Sequence, residues 1–414
     1  MIRPLLLIAS ALLSITAPGA EPGSRDLEAP PHSYYQRTLR DRFTRIKDDV
    51  ESGKIALDRH SEKAFVISLL RALGIPATSQ MLVFSTTSLQ LRLISPASPR
   101  ALYFTEDLYI GYVPGGRIEV VSLDPELGAI FYIFDIPRGE QPVRVERSTR
   151  CMNCHAAEDT GQVPGLVVKS VVPGPTGGSL DSFRREQTGH AIPFDQRFGG
   201  WYVTGGSALA QPWANVIGRL FAGNISKQTI PPGTLFDFAH YPVATSDLLP
   251  QLLLEHQAGF VNRVVAATYR ARTHLHTDQG VLSAEHAAEL DEQARIVTRY
   301  LLFADEVPLP PGGVEGDAAF KTDFLRDRRS AANGISLKDF DLRTRLLQHR
   351  CSYMIYSAVW QGLPPAIKER IYRRLRAALD PARPEAEYAY LPTAEKQSIR
   401  AILRATLTDL PGDW

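Results

Sequence analysis

An α+β fold is predicted for this chain from three observations. Short apolar and aromatic runs, punctuated by Gly and Pro, crowd the interval from residue 81 to 134. Apolar residues at intervals of three and four precede that interval, and they dominate again from residue 248 onward. Strands clustered in one stretch and helices in others call for a hairpin-built antiparallel sheet with several helices packed on it. The C-terminal region should be helical.

In chain order, Tyr34 to Gly53 and Ser61 to Gly74 read as helices, the second ended by Gly74 with Pro76 just beyond. Strands are expected at Met81 to Phe84, Leu89 to Ile94, Ala101 to Phe104, Leu108 to Val113, Arg117 to Leu123 and Ala129 to Phe134. Pro114-Gly115-Gly116 and Asp124-Pro125 are turns between them, which makes the pairing antiparallel. Pro173 to Gly178 is a loop, and Trp201 to Thr204 is a strand flanked by glycines. Helices follow at Leu248 to Arg272 and Ser283 to Leu302, then at Leu337 to Val359, Pro365 to Leu379 and Thr393 to Leu407. Val307 to Asp317, rich in Pro and Gly, is the best candidate boundary. The expected organisation is therefore 25–306 as one α+β unit and 318–414 as a helical region packed beside it or on the same core.

The 414 residues include 46 Lys plus Arg against 45 Asp plus Glu, a balance that offers no field for nucleic acid or an anionic membrane. A hydrophobic share of 44% with 22% charged residues is that of a folded chain and argues against disorder. Residues 1–20 differ. Arg3, an apolar run from Leu5 to Ile15, and the small residues Ala17-Pro18-Gly19-Ala20 have the layout of a cleaved signal peptide. A retained anchor is the alternative, although the run is short of the about 20 residues that span a bilayer. The mature protein is expected to be exported and soluble, periplasmic in a bacterium, with no membrane span.

The sharpest local signal is Cys151-Met152-Asn153-Cys154-His155. Two thiols one helical turn apart can each add to a vinyl group of a porphyrin, and the following imidazole can ligate its iron from the proximal side. Other readings compete. Zinc needs four ligands, and no second Cys-x-x-Cys or His-x-x-x-His completes such a site. A thioredoxin-like dithiol belongs at the start of a helix after a strand in a βαβ unit, which the upstream hairpins do not resemble. Coincidence is the third. With only 3 cysteines the chain cannot build a disulfide framework, and haem attachment would leave Cys351 over.

The sixth iron ligand separates an electron carrier from a ligand-binding haem protein. His190, in a turn-rich segment with aromatic neighbours, and His256, on the apolar stripe of its helix, are the tentative distal ligands. Met81 and Met354 read as core, and Met152 lies inside the attachment loop. Phe194, Phe198, Trp201 and Tyr202 could wall a macrocycle or be plain core. Arg184, Arg185 and Arg197 could pair with propionates or be solvated. Cys351 reads as a small buried residue. Glu255 beside His256 is no acid/base pair, because consecutive helix residues point about 100° apart.

Five stretches resemble a family of uncharacterised exported bacterial proteins with a single c-type haem motif, described as cytochrome c domain-containing proteins. They are Ser79 to Ser85, Pro99 to Phe104, Tyr109 to Gly116, Gly199 to Gly205 (Gly-Gly-Trp-Tyr-Val-Thr-Gly) and Cys351 to Ser357. The resemblance runs from about residue 60 to the C-terminus. It implies one covalently attached haem c on Cys151, Cys154 and His155, and electron transfer with a redox partner. In that family histidines often follow the Gly-Gly-Trp stretch. Here 206–215 holds none, so a histidine-dependent role of that loop does not carry over. The motif lies 150 residues into an α+β chain, which excludes the small all-α cytochrome c fold. The expected function is a periplasmic c-type cytochrome. The alternatives are a haem enzyme or gas/redox sensor with an open distal site and, more weakly, a thiol-disulfide protein without haem.

Overall fold

A computed structural model of the chain describes residues 27–182, 189–205, 213–412 and 414. The expected signal peptide, Arg184 and Arg185 lie outside the described residues, as do residues 206–212.

The fold is α+β, as the sequence predicts. Helices α1 (Thr44–Glu51) and α2 (Glu62–Ala72) precede strands β1 (Met81–Val83), β2 (Arg100–Phe104), β3 (Leu108–Tyr112), β4 (Ile118–Asp124), β5 (Gly128–Phe134) and β6 (Glu146–Arg147). A short helix, α3 (Met152–His155), follows, then β7 (Val171–Pro173), β8 (Ser179–Ser182), β9 (Trp201–Tyr202) and the hairpin β10 (Val216–Phe221) and β11 (Asn224–Thr229). Helices α4 (Leu248–Thr277), α5 (Ala284–Leu301), α6 (Ala318–Leu325), α7 (Ala358–Gln361), α8 (Pro365–Ala378) and α9 (Thr393–Thr406) complete the chain. The main sheet is antiparallel, in the order β6-β5-β4-β3-β2-β1-β9.

Strand alternation divides that sheet into two faces. Tyr112, Tyr132 and Phe134 point to one, where Phe43 stacks on Phe134 and Glu62 of α2 accepts from the Tyr112 hydroxyl. On the other, the cross-strand rows Tyr109–Val121–Phe131 and Gly111–Glu119–Ile133 receive α3 and α4. Tyr109 donates to Gln257 of α4 at 2.9 Å, and the ring of Phe131 lies 4.7 Å from that of His155.

Three expectations are corrected. The helix expected from Tyr34 starts only at Thr44, because the main chain before it is committed elsewhere: the amide of Arg40 donates to Asp124, and Arg147 donates to the carbonyl of Tyr34. Leu89 to Ile94 is turn, not strand. Its alternating leucines stay exposed (40%, 55% and 40% at Leu89, Leu91 and Leu93), and Gln90 bonds the backbone of Arg117 through its side chain. The place beside β1 goes to β9 instead. Leu337 to Val359 is irregular until Tyr353. There Asp341 accepts from the amides of Arg343 and Thr344, and Leu342 adopts φ 58°, so side-chain bonds displace the helical ladder.

Residues from Tyr34 to Leu407 share one hydrophobic core. Segment 307–317 is tied to its surroundings by Val307 donating to the carbonyl of His190 and Val314 to that of Leu342. Among the described residues, no helix is long and apolar enough to cross a membrane.

Candidate functional site

The motif forms a single helical turn. The amide of His155 donates to the carbonyl of Cys151 at 3.0 Å, which puts the two thiols and the imidazole at the first, fourth and fifth positions of one coil. All three cysteines are free: Cys154 is exposed, Cys151 partly buried, and Cys351 fully buried. The Cys151 thiol donates to Ser148 Oγ at 3.4 Å, and burial pushes its pKa up. That direction works against a reactive thiolate, which needs a lowered value.

His155 is held from below by its own downstream loop. Its Nδ1 lies 2.9 Å from the carbonyl oxygen of Gly165, a group that can only accept, so Nδ1 carries the proton. The Gly165 amide returns a bond of 2.8 Å to the His155 carbonyl. Burial lowers the pKa of the ring, more than the Gly165 carbonyl restores it, and the imidazole is neutral. Nε2 is left with no hydrogen-bond partner among the described residues. A neutral imidazole oriented through Nδ1 with Nε2 unspent is the state in which histidine ligates a metal.

The loop is itself pinned by α4. Asn262 Oδ1 accepts from the amide of Leu166 at 2.8 Å, and Asn262 Nδ2 donates to the carbonyl of Leu166 at 2.9 Å. Only glycine fits at 165, where a Cβ would run into Asn262 Oδ1. Gly165 and Asn262 are the positioning residues that sequence reasoning missed. The Val-Pro-Gly-Leu loop was the available signal.

Above the sheet face, Arg100 and Glu119 form an ion pair of 2.7 Å that influences the titration of both Cys151 and His155. Gln90 Nε2 also donates to Glu119, at 3.2 Å.

His190 and His256 come together, but with each other and not as free ligands. His190 Nε2 faces the carbonyl of Ala304 at 3.3 Å, which requires the proton there. His190 Nδ1 then accepts from His256 Nδ1 at 2.9 Å, and His256 Nε2 accepts from the Ser352 hydroxyl at 2.7 Å. The two rings stack with Tyr300 and Phe303. Burial lowers both pKa values, that of His256 to about 3 and that of His190 well below its ordinary value with help from His256, so both rings are neutral. Gly259 permits the stack, since a Cβ there would strike the Tyr300 hydroxyl. In this arrangement neither histidine presents an uncommitted nitrogen.

The remaining candidates are structural. Arg197, considered above for propionates, is buried and pairs with Glu255 at 3.2 Å while donating to the carbonyls of Ile192 and His190. Met81 and Met354 are fully buried in the core and Met152 is nearly so. Trp201, Tyr202 and Phe198 are core residues; Phe194 lies under the Arg197 guanidinium at 4.6 Å. Among the described residues, no three His, Cys, Asp or Glu side chains converge on one metal position. No family model, no curated protein and no solved structure matches this chain.

Proposed function

We propose that this chain is an exported c-type cytochrome that carries one haem through thioethers at Cys151 and Cys154, with His155 Nε2 as the proximal ligand. The observation that carries the reading is the bond from His155 Nδ1 to Gly165, which leaves a neutral ring with Nε2 unspent beside two free thiols. The donor set therefore fits the group. When bound, haem supplies one-electron chemistry at iron. The chain's part is to fix the imidazole through Gly165 and Asn262, and to set the local polarity through Phe131 and the Arg100–Glu119 pair. The raised thiol of Cys151 speaks against the dithiol alternative.

A second reading draws support from the engagement of both candidate distal histidines. With every ring nitrogen of His190 and His256 bonded within the protein, the sixth position lacks its two expected strong-field donors. This favours an open distal face, as in a gas/redox sensor or haem enzyme.

Expression with export and the c-type maturation machinery tests both. Haem staining on a denaturing gel is expected for the wild type and absent from Cys151→Ala/Cys154→Ala; an unstained wild-type band from matured cells sinks the proposal. A reduced spectrum that carbon monoxide leaves unchanged favours the carrier. Rapid binding of the gas favours the open site.

A further inference from the structure

A cleft of about 740 Å³ is lined by segment 89–93, Gly115 to Arg117 in the β3–β4 turn, Glu62, and Asp135, Ile136, Arg138 and Gln141 after β5. Its volume is that of a small-molecule pocket. Three features define the chemistry it would take. Leu89, Leu91 and Leu93 stand half-exposed along one wall as an apolar strip. Arg92 and Arg138 are exposed in the same walls, and neither side chain has an ion-pair or hydrogen-bond partner among the described residues. The acids of the cleft are already committed. Asp135 pairs with Arg117 at 3.2 Å, and Glu62 accepts from the Tyr112 hydroxyl and the Gly115 amide. The cleft therefore offers an apolar wall and two unspent guanidinium groups, which matches a flat apolar molecule bearing carboxylates.

It opens on the sheet face that carries the motif. Phe131, against His155, and Asp135, in the cleft wall, point to the same side of the sheet four residues apart, about 13 Å along the strand direction. Gln90 lines the cleft and donates to Glu119, which pairs with Arg100 on that same face.

Resting on the haem reading above, we propose that this cleft seats the propionate edge of the porphyrin, with Arg92 and Arg138 as its carboxylate partners and Leu89, Leu91 and Leu93 as its apolar cover. This assigns the role to arginines far in sequence from those first considered.

The test uses the full-length, haem-loaded protein and the variants Arg92→Gln/Arg138→Gln and Leu91→Ser, all at exposed positions. Haem staining should persist in every variant, since the thioethers are untouched. Removing two cations from beside the carboxylates should favour the ferric form and shift the reduction equilibrium about tenfold, roughly 59 mV lower for a one-electron couple. Amides of 89–93 should exchange hydrogen more slowly in the haem-loaded protein than in Cys151→Ala/Cys154→Ala, and Leu91→Ser should lessen that protection. Stained variants with an unchanged potential, and equal exchange at 89–93 with and without haem, would overturn the cleft assignment and leave the haem reading intact. An unstained wild type would overturn both.

Discussion

Asn262 grips the main chain of Leu166 from both sides, accepting from its amide at 2.8 Å and donating to its carbonyl at 2.9 Å. A side-chain amide so placed imitates one rung of a β-ladder, and it holds the loop whose next residue back orients His155.

Replacing Asn262 with Ala strands a buried amide and a buried carbonyl. A loss of about 2–3 kcal/mol in unfolding free energy is expected from two such bonds, with Asn262→Asp no milder, because an ionised carboxylate keeps the acceptor but sets its second oxygen against the Leu166 carbonyl. Urea denaturation measures it. A stability equal to wild type would show that the loop is held elsewhere.

Gly165→Ala forces its new methyl against Asn262 Oδ1. Overpacking of this kind costs ~1–3 kcal/mol. The shift also carries the Gly165 carbonyl away from His155 Nδ1, so the variant should incorporate less haem per mole of protein when matured in cells. The pyridine haemochrome yield, normalised to protein, reports it.

The pH dependence of stability should carry the mark of the buried imidazole pair. Burial depresses the folded pKa of His256 to about 3, against about 6.5 in an unfolded chain. Between those values the unfolded chain binds the proton and the folded one does not, so stability is fully present above pH 6.5 and drains away as the pH falls toward 3. Each such group contributes a slope of up to ~1.4 kcal/mol per pH unit. His256→Gln should be less stable at neutral pH and show an acid limb shallower by about that amount. Equal slopes for the two proteins would mean that the ring is not held neutral.

Thiol reactivity of protein made without haem should fall into three classes. Cys154, exposed, reacts at once with an aromatic disulfide reagent. Cys151 follows more slowly, because burial raises its pKa. Cys351, fully buried with its pKa raised by desolvation, reacts only on unfolding. Three labels taken up rapidly in native buffer would contradict this order.

The sheet was legible because its strands are short apolar or aromatic runs linked by hairpin turns, as at Ala129 to Phe134. Leu89 to Ile94 is as rich in apolar residues and is not a strand, since pattern alone cannot tell an apolar strip that meets a neighbouring strand from one that stays exposed. The motif was legible as local spacing. Its support was not, for Asn262 matters only through a contact across nearly a hundred residues, and Gly165 acts on His155 through a main-chain carbonyl that any residue type carries. His256 was rightly placed on an apolar stripe, but the proton chain to His190 and Ser352 joins three distant segments that no periodicity links. Leu337 to Val359 misled for the opposite reason: helical spacing was present, and aspartate side chains outbid it for the backbone.

The clamp on the motif spans 96 positions, so during synthesis the Cys-Met-Asn-Cys-His turn is complete long before the helix that locks it. Closures between such remote segments are slow steps in folding. An interval follows in which both sulfurs and the imidazole sit on a slack tether. Any modifying enzyme has that window, and a chain that completes its long helix early would shut it.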